Sequence, residues 1–326
     1  MAVSSQGHIL VADTRQYYIR VFDEQGGYLQ SLGGEGSGPG EFEQLGSINI
    51  GHHADTIYVR DFPRKQYILF HPEEEDYWTY RRSINYEDFD HRDGATPGNV
   101  LPTSDGRKIL WYGAMYNPAR EDPEERVVSL ISPDWNMEQE EIIRTPVADA
   151  AVHRTNGGIM VSNNVPFGRN PILRIGPDDR LYHLWTEQLE IARFNPEGEP
   201  LDTLSYRLPR DPIGSEELNE AIQEMNEDLR DPAREAVPEY KLVALDMHID
   251  SQNRFWVQVA PSRDEGPIWL VLNSEGEPLG RFRLPAELDV HAARHGNLYG
   301  TRESEETGLL YIEVYAVGLD EDQLAL

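Results

Sequence analysis

Two short pairs carry the residue types that could do chemistry: Asp246-Met247-His248 and Asp289-Val290-His291. In an extended strand, side chains two apart share a face, so each pair would present a carboxylate beside an imidazole. That combination suits a histidine base oriented by its acid, or two ligands of a divalent metal. Each histidine stands seven residues ahead of an apolar segment, His248 before Phe255 and His291 before Leu298. His153 precedes its own strand-like stretch in a similar way, and Asn49 and Arg174 fall near the matching place in two further segments. The candidate site is therefore His248 and His291 as bases, with Asp246, Asp289, His153 and Asn49 as metal ligands. The competing reading is that these groups satisfy one another along a polar interior.

Other signatures are missing. No Gly-x-Ser-x-Gly elbow and no His-Glu-x-x-His motif occurs. Without cysteine, disulfides, thiolate metal sites and a cysteine nucleophile are excluded. The glycine-rich run Gly33 to Gly40 lacks the Gly-Lys-Ser/Thr of a phosphate loop and reads as a linker.

What must position the pairs is a repeat. GHILVADT followed by YIRVFDEQGGYLQSL, from Gly7 to Leu32, reads as short strands joined by tight turns. The same pattern returns from Asp55 to Tyr80, Asp178 to Tyr206, Asn253 to Phe282 and Gly296 to Val317, with a weaker copy from Arg107 to Ile143. Ile19, Phe22 and Gly26 align with Ile191, Phe194 and Gly198, and with Trp269, Leu272 and Gly276. Six copies of about 40–50 residues predict an all-β, six-bladed β-propeller. A strand-like pair within 146–170 leaves room for a seventh. Innermost strands line a propeller's channel, so the two Asp-x-His pairs are expected to meet near the axis.

One stretch departs from the pattern. In 209–240, Leu218, Ile222, Met225 and Leu229 share a helical face, Ser215 is a plausible N-cap and Pro232 a stop. The expectation is one propeller domain over 1–326 with a helical insertion at 209–240, either packed on the rim or lying over the channel mouth. The start, MAVSS, resembles the tail of an innermost strand, and no outermost strand is evident near Leu326. A missing upstream part is expected, and a signal lost with it would make the protein periplasmic or secreted. A half-closed last blade would expose a sheet edge.

With 58 acidic against 29 basic side chains, the net charge is −29, which disfavours nucleic acid and anionic membranes. The charge is either a solvated coat or a surface for cations or a basic partner. No apolar run is long enough to span a membrane.

The segments ILVADT (9–14), YIRVFDEQGGYL (18–29), GGEGSGPGEF (33–42) and TIYVRD (56–61) resemble NHL-repeat proteins. More broadly the chain is similar to bacterial six-bladed propellers, through RLYHLWT…LEIARFNPEGEPL and RFWVQVAP…WLVLNSEGEPLGRFRLP. The resemblance implies ligands taken at one end of the channel. It spans binding modules and calcium-dependent lactonases, phosphotriesterases and lyases, whose calcium is held by Asp, Asn and Glu oxygens in the channel. Two readings follow: a scaffold binding a small molecule or protein at the channel mouth, or a calcium-type hydrolase of lactones, esters or phosphotriesters.

Overall fold

The computed structural model describes residues 1–74, 77–89, 96–112, 125–154, 160–260 and 268–318. Its repeat is written first in the turns. Asp23, Asn195 and Asn273 each open the same turn. Their side-chain oxygens accept the N–H four residues on, from Gly27 at 2.7 Å, Glu199 at 2.8 Å and Glu277 at 2.7 Å. Between them Gly26, Gly198 and Gly276 sit at φ of 84°, 83° and 86°, where a Cβ would be strained. This is why the glycines align across the copies.

Those turns join the third and fourth strands of a meander. The first sheet is β1 (Ala2–Val3), β2 (Ile9–Asp13), β3 (Tyr18–Phe22) and β4 (Tyr28–Gly33). The second is β5 (Ile48–Ile50), β6 (Ile57–Asp61), β7 (Gln66–Glu74) and β8 (Tyr77–Asn85). The third is β9 (Pro97–Pro102), β10 (Lys108–Tyr112), β11 (Glu125–Ile131) and β12 (Met137–Pro146). A separate hairpin follows, β13 (Ala150–Arg154) with β14 (Met160–Asn164). The fourth sheet is β15 (Pro171–Ile175), β16 (Leu181–Trp185), β17 (Leu189–Phe194) and β18 (Pro200–Tyr206). Helices α1 (Ser215–Gln223) and α2 (Glu227–Ala236) precede the fifth, β19 (Ala244–Ile249), β20 (Phe255–Val259), β21 (Ile268–Leu272) and β22 (Pro278–Arg283). The sixth has β23 (Asp289–Arg294), β24 (Asn297–Glu303) and β25 (Leu310–Ala316).

The apolar clusters show that these sheets form a closed ring. Leu10 and Ile19 of blade 1 pack on Ile57 and Phe70 of blade 2; Tyr58 and Tyr67 of blade 2 pack on Val100 and Leu110 of blade 3. Ile109 meets Leu181, Tyr182 meets Phe255, and Trp256 meets Leu298. The last cluster, Val3, Ile9 and Tyr299, joins blade 6 back to blade 1. Each sheet thus buries both faces, which is why β10 is buried along its whole length. The protein is a six-bladed β-propeller, mostly strand, with two short helices.

The glycine-rich linker works as packing. At φ 94°, Gly33 lies so close to Phe42 that a Cβ would stand 2.0 Å from the ring, and Phe42 is fully buried between blades 1 and 2. Gly34 O accepts from Phe42 N–H at 2.8 Å, and Gly38 N–H donates to Glu41 at 2.8 Å.

Four points of the sequence reading need correction. The strand pair in 146–170 is the lone hairpin β13–β14, not a seventh blade. The insertion is two helices rather than one, because Asn226 caps a new start by accepting from Asp228 N–H. Ser215 lies inside α1, behind Gly214, and Pro232 is within α2 rather than ending it. Leu218 and Ile222 of α1, Met225 between the helices and Leu229 of α2 therefore share no single helical face, but they join one apolar cluster with Ala151 and Val165 around the hairpin. Both insertions belong to connections between blades, so they lie on the same face of the propeller. Among the described residues blade 6 has three strands, and its outer strand β25 exposes Leu310 (70 %) and Tyr311 (50 %).

Candidate functional site

The six innermost strands, β1, β5, β9, β15, β19 and β23, surround a cavity of about 220 Å³. Each runs from the face carrying the blade connections toward its first hairpin turn, so residues late in these strands lie deep. The polar groups on the wall are Asn49, Asn99, Arg174, His248 and His291, with His52 and Arg294 deepest. Among the described residues lining this space there is no aspartate or glutamate.

His248 is buried, its ring stacked on Trp269 with centroids 5.9 Å apart. Its Nε2 lies 3.1 Å from Asp246 Oδ2 but out of line with it, so the nitrogen lacks a directed hydrogen bond. Asp246 also accepts from Arg174 Nη2 at 2.9 Å and from the Met247 N–H at 2.7 Å. Burial alone would raise the Asp246 carboxyl; His248 and Arg174 outweigh it and hold the group below the usual carboxylate range. His291 makes a 2.8 Å hydrogen bond through Nε2 to Thr301 Oγ1 and stands 3.6 Å from Asp289. Burial first, and then the amino group of Met1, lower its pKa, while Asp289 works against them.

The deep end is crossed by two groups. His52 Nε2 bonds the Ile175 carbonyl at 3.1 Å, spanning from blade 2 to blade 4. A carbonyl only accepts, so this ring carries its proton on Nε2, leaving Nδ1 as a buried acceptor without a partner among the described residues. Burial, with Arg294 nearby, pushes the His52 pKa down to about 4. Arg294, 6 % exposed, donates to Val3 O at 2.6 Å and His52 O at 3.0 Å, tying blade 6 to blades 1 and 2.

Of the residues singled out in the sequence, His248, His291, Asn49 and Arg174 line the channel, and Asp246 stands on the same strand as His248, 3.1 Å from its ring. Asp289 is 76 % exposed in its side chain and is not among the channel-lining residues. His153 lies on β13 beside α2 and is not among the channel-lining residues. The two Asp-x-His pairs also differ in register. Counted from the hairpin turn, His248 pairs with Trp256, but the corresponding residue of blade 6 is Ala292, paired with Tyr299. His291 is the extra residue of a β-bulge, which offsets a turn one residue shorter. The equal spacing to the next strand therefore hides two different placements.

The donor set does not fit calcium. Among the described residues no group of three or more His, Cys, Asp or Glu could hold a metal. Asp246 is committed to Arg174 and His248, and the wall offers amides and rings instead of carboxylates. Exposed Glu87 pairs with Lys65, and Asn163 and Asn164 are exposed on β14. His52, Asn99 and Arg294 escaped the sequence reading. Their signal is position, at or beside the innermost strands, and it needs strand ends finer than repeat alignment gives.

The family described as 6-bladed beta-propeller, DUF5128, matches residues 3–83. Among solved structures, the chain is similar to a member of the duf4221 family from Bacteroides vulgatus, at 11 % identity and TM-score 0.57, covering 96 % of this chain and 90 % of that one. It is similar to a putative exported protein from Bacteroides fragilis at 14 % identity and TM-score 0.53, covering 93 % and 78 %. A virginiamycin B lyase from Staphylococcus aureus matches at 11 % identity and TM-score 0.38, covering 98 % and 84 %. At these identities the likeness concerns the fold. No curated protein matches the sequence. No helix among the described residues is long and apolar enough to cross a membrane.

Proposed function

We propose that the chain is a binding propeller that takes a small polar ligand into the channel from the face carrying the blade connections. The observation that supports it most is the wall: two amides, three imidazoles and two guanidiniums around one cavity, with no acid among them. The cavity volume of about 220 Å³ suits a compact ligand. At the far end, the His52–Ile175 bond and the Arg294 fan block passage. Calcium-type hydrolysis has less support, because its oxygen ligands are not assembled here.

The test is a calorimetric titration of the 326-residue chain with a panel of small polar compounds, alongside turnover assays on lactone, aryl-ester and phosphotriester substrates with and without chelator. The expected result is saturable 1:1 binding of at least one compound, weakened about tenfold or more in His248→Ala or His291→Ala. Chelator-sensitive turnover would replace this reading with the hydrolase one. Absence of both binding and turnover would defeat it.

A further inference from the structure

We infer that the ligand is a small anion, of the carboxylate or phosphate kind, drawn by the unmatched charge of Arg294; this rests on the channel being a binding site. Arg294 lines the deep end of the cavity and is buried. Among the described residues its Nη groups donate only to backbone carbonyls, those of Val3, Gly51 and His52, its Nε has no hydrogen-bond partner, and the side chain makes no ion pair. Carbonyl oxygens satisfy guanidinium hydrogens, but they carry no net charge. A buried cation with no counter-charge in contact is held at a cost that an anion would relieve.

The neighbouring guanidiniums are matched. Arg174 is neutralised by Asp246 at 2.9 Å, and Arg254 by the fully buried Asp250 at 2.6 Å. Asp55 acts on Arg294 across space without an ion pair, and its neutral Ser5 donors leave its charge in place. Asp55 accepts Ser5 N–H and Oγ–H, both at 2.6 Å. Asp250 accepts from Arg254 and from Trp256 Nε1. In a chain with twice as many acidic as basic side chains, the described residues lining this cavity include no acid, the adjoining Asp246 is paired with Arg174 and His248, and Arg294 at the deep end has no ion pair. Asn49, Asn99 and His291 on the same wall can donate to the oxygens of an anion. The acidic exterior repels anions in bulk, so selection would come from the pocket and not from steering.

The experiment titrates acetate, succinate and inorganic phosphate into the whole chain at low chloride and constant ionic strength, with glycerol and glucose as neutral probes. One or more anions should bind saturably, and the neutral probes at least about tenfold more weakly. The organic and inorganic arms separate a carboxylate from a phosphate preference. Arg294→Gln should abolish anion binding. Because that change also loosens the tie to Val3, Asn49→Asp is read in parallel: it keeps Arg294 in place and supplies a carboxylate to the same cavity. Loss of anion binding in Asn49→Asp, with folding retained, supports the inference. Binding of neutral probes but no anion overturns it while leaving the channel reading intact, and binding of neither overturns both. Anion binding unchanged in Asn49→Asp and in folded Arg294→Gln also overturns it.

Discussion

His52 and His183 are the residues whose burial has the clearest consequence in solution. Burial holds each near a pKa of about 4, against 6.5 for an exposed ring, and His183 Nε2 is buried without a partner among the described residues. Between those values the unfolded chain binds protons that the folded chain refuses. Stability is therefore complete above about pH 6.5 and falls as pH drops toward 4, by up to roughly 3 kcal/mol for each ring. Asp246, depressed in the opposite chemical sense, adds its loss only below the ordinary carboxylate range, about pH 3.9. Urea midpoints at pH 7.5, 6, 5 and 4.5 check this. His183→Leu should flatten the slope between pH 6.5 and 4.5, and an unchanged slope would refute the assignment. Neither histidine was legible as special in the sequence. Burial of a ring depends on what the neighbouring blade places over it, and a single repeat does not show that. The Asp246–His248 pair was legible, because residues two apart on a strand need no tertiary knowledge.

At the scale of elements, blades are latched by a motif that the repeat alignment did not isolate. Ser5, in the first turn of blade 1, donates N–H and Oγ–H to Asp55 of blade 2. Ser104, in the equivalent turn of blade 3, donates its N–H at 2.8 Å and its Oγ–H to Asp179 of blade 4. Asp179 sits at φ 61°, which asparagine tolerates better than alanine. Asp55→Ala and Asp179→Ala leave two donors without their charged acceptor and should each cost ~1–3 kcal/mol. Asp179→Asn should cost less, since it keeps an acceptor and the backbone preference. Chemical denaturation of the four proteins decides, and equal losses in Asp179→Ala and Asp179→Asn would rule the latch out as the cause. The strands and their turns were readable from Gly26, Gly198 and Gly276, because local geometry demands glycine there. The latch was not, because each half is an ordinary Ser or Asp until the next blade is in place. The bulge at His291 was hidden for a related reason: a shorter turn and an extra strand residue cancel in the count.

The whole molecule sets a ring of apolar seams against a net charge of −29. Ion pairs such as Arg193–Asp202 and Arg302–Glu313 use part of the basic complement, but acids outnumber bases two to one, so most of the repulsion on the coat remains. Compaction brings these charges together, and salt screens them with a length of about 10 Å at 0.1 M. Unfolding spreads them apart, so added salt should favour the folded state. The melting temperature is expected to rise as sodium chloride increases from about 10 mM to 0.5 M, and potassium chloride should act equally at matched ionic strength, because screening depends on charge and not on ion identity. A surface built to capture cations would behave differently. Calcium would then stabilise at micromolar concentration, far below the ionic strength at which screening operates, and the rise would saturate as sites filled. Scanning calorimetry in the three salts separates these cases. A saturating calcium effect would make the coat a binding surface, whereas parallel sodium and potassium curves would mark it as solvated charge that the seams between blades must outweigh.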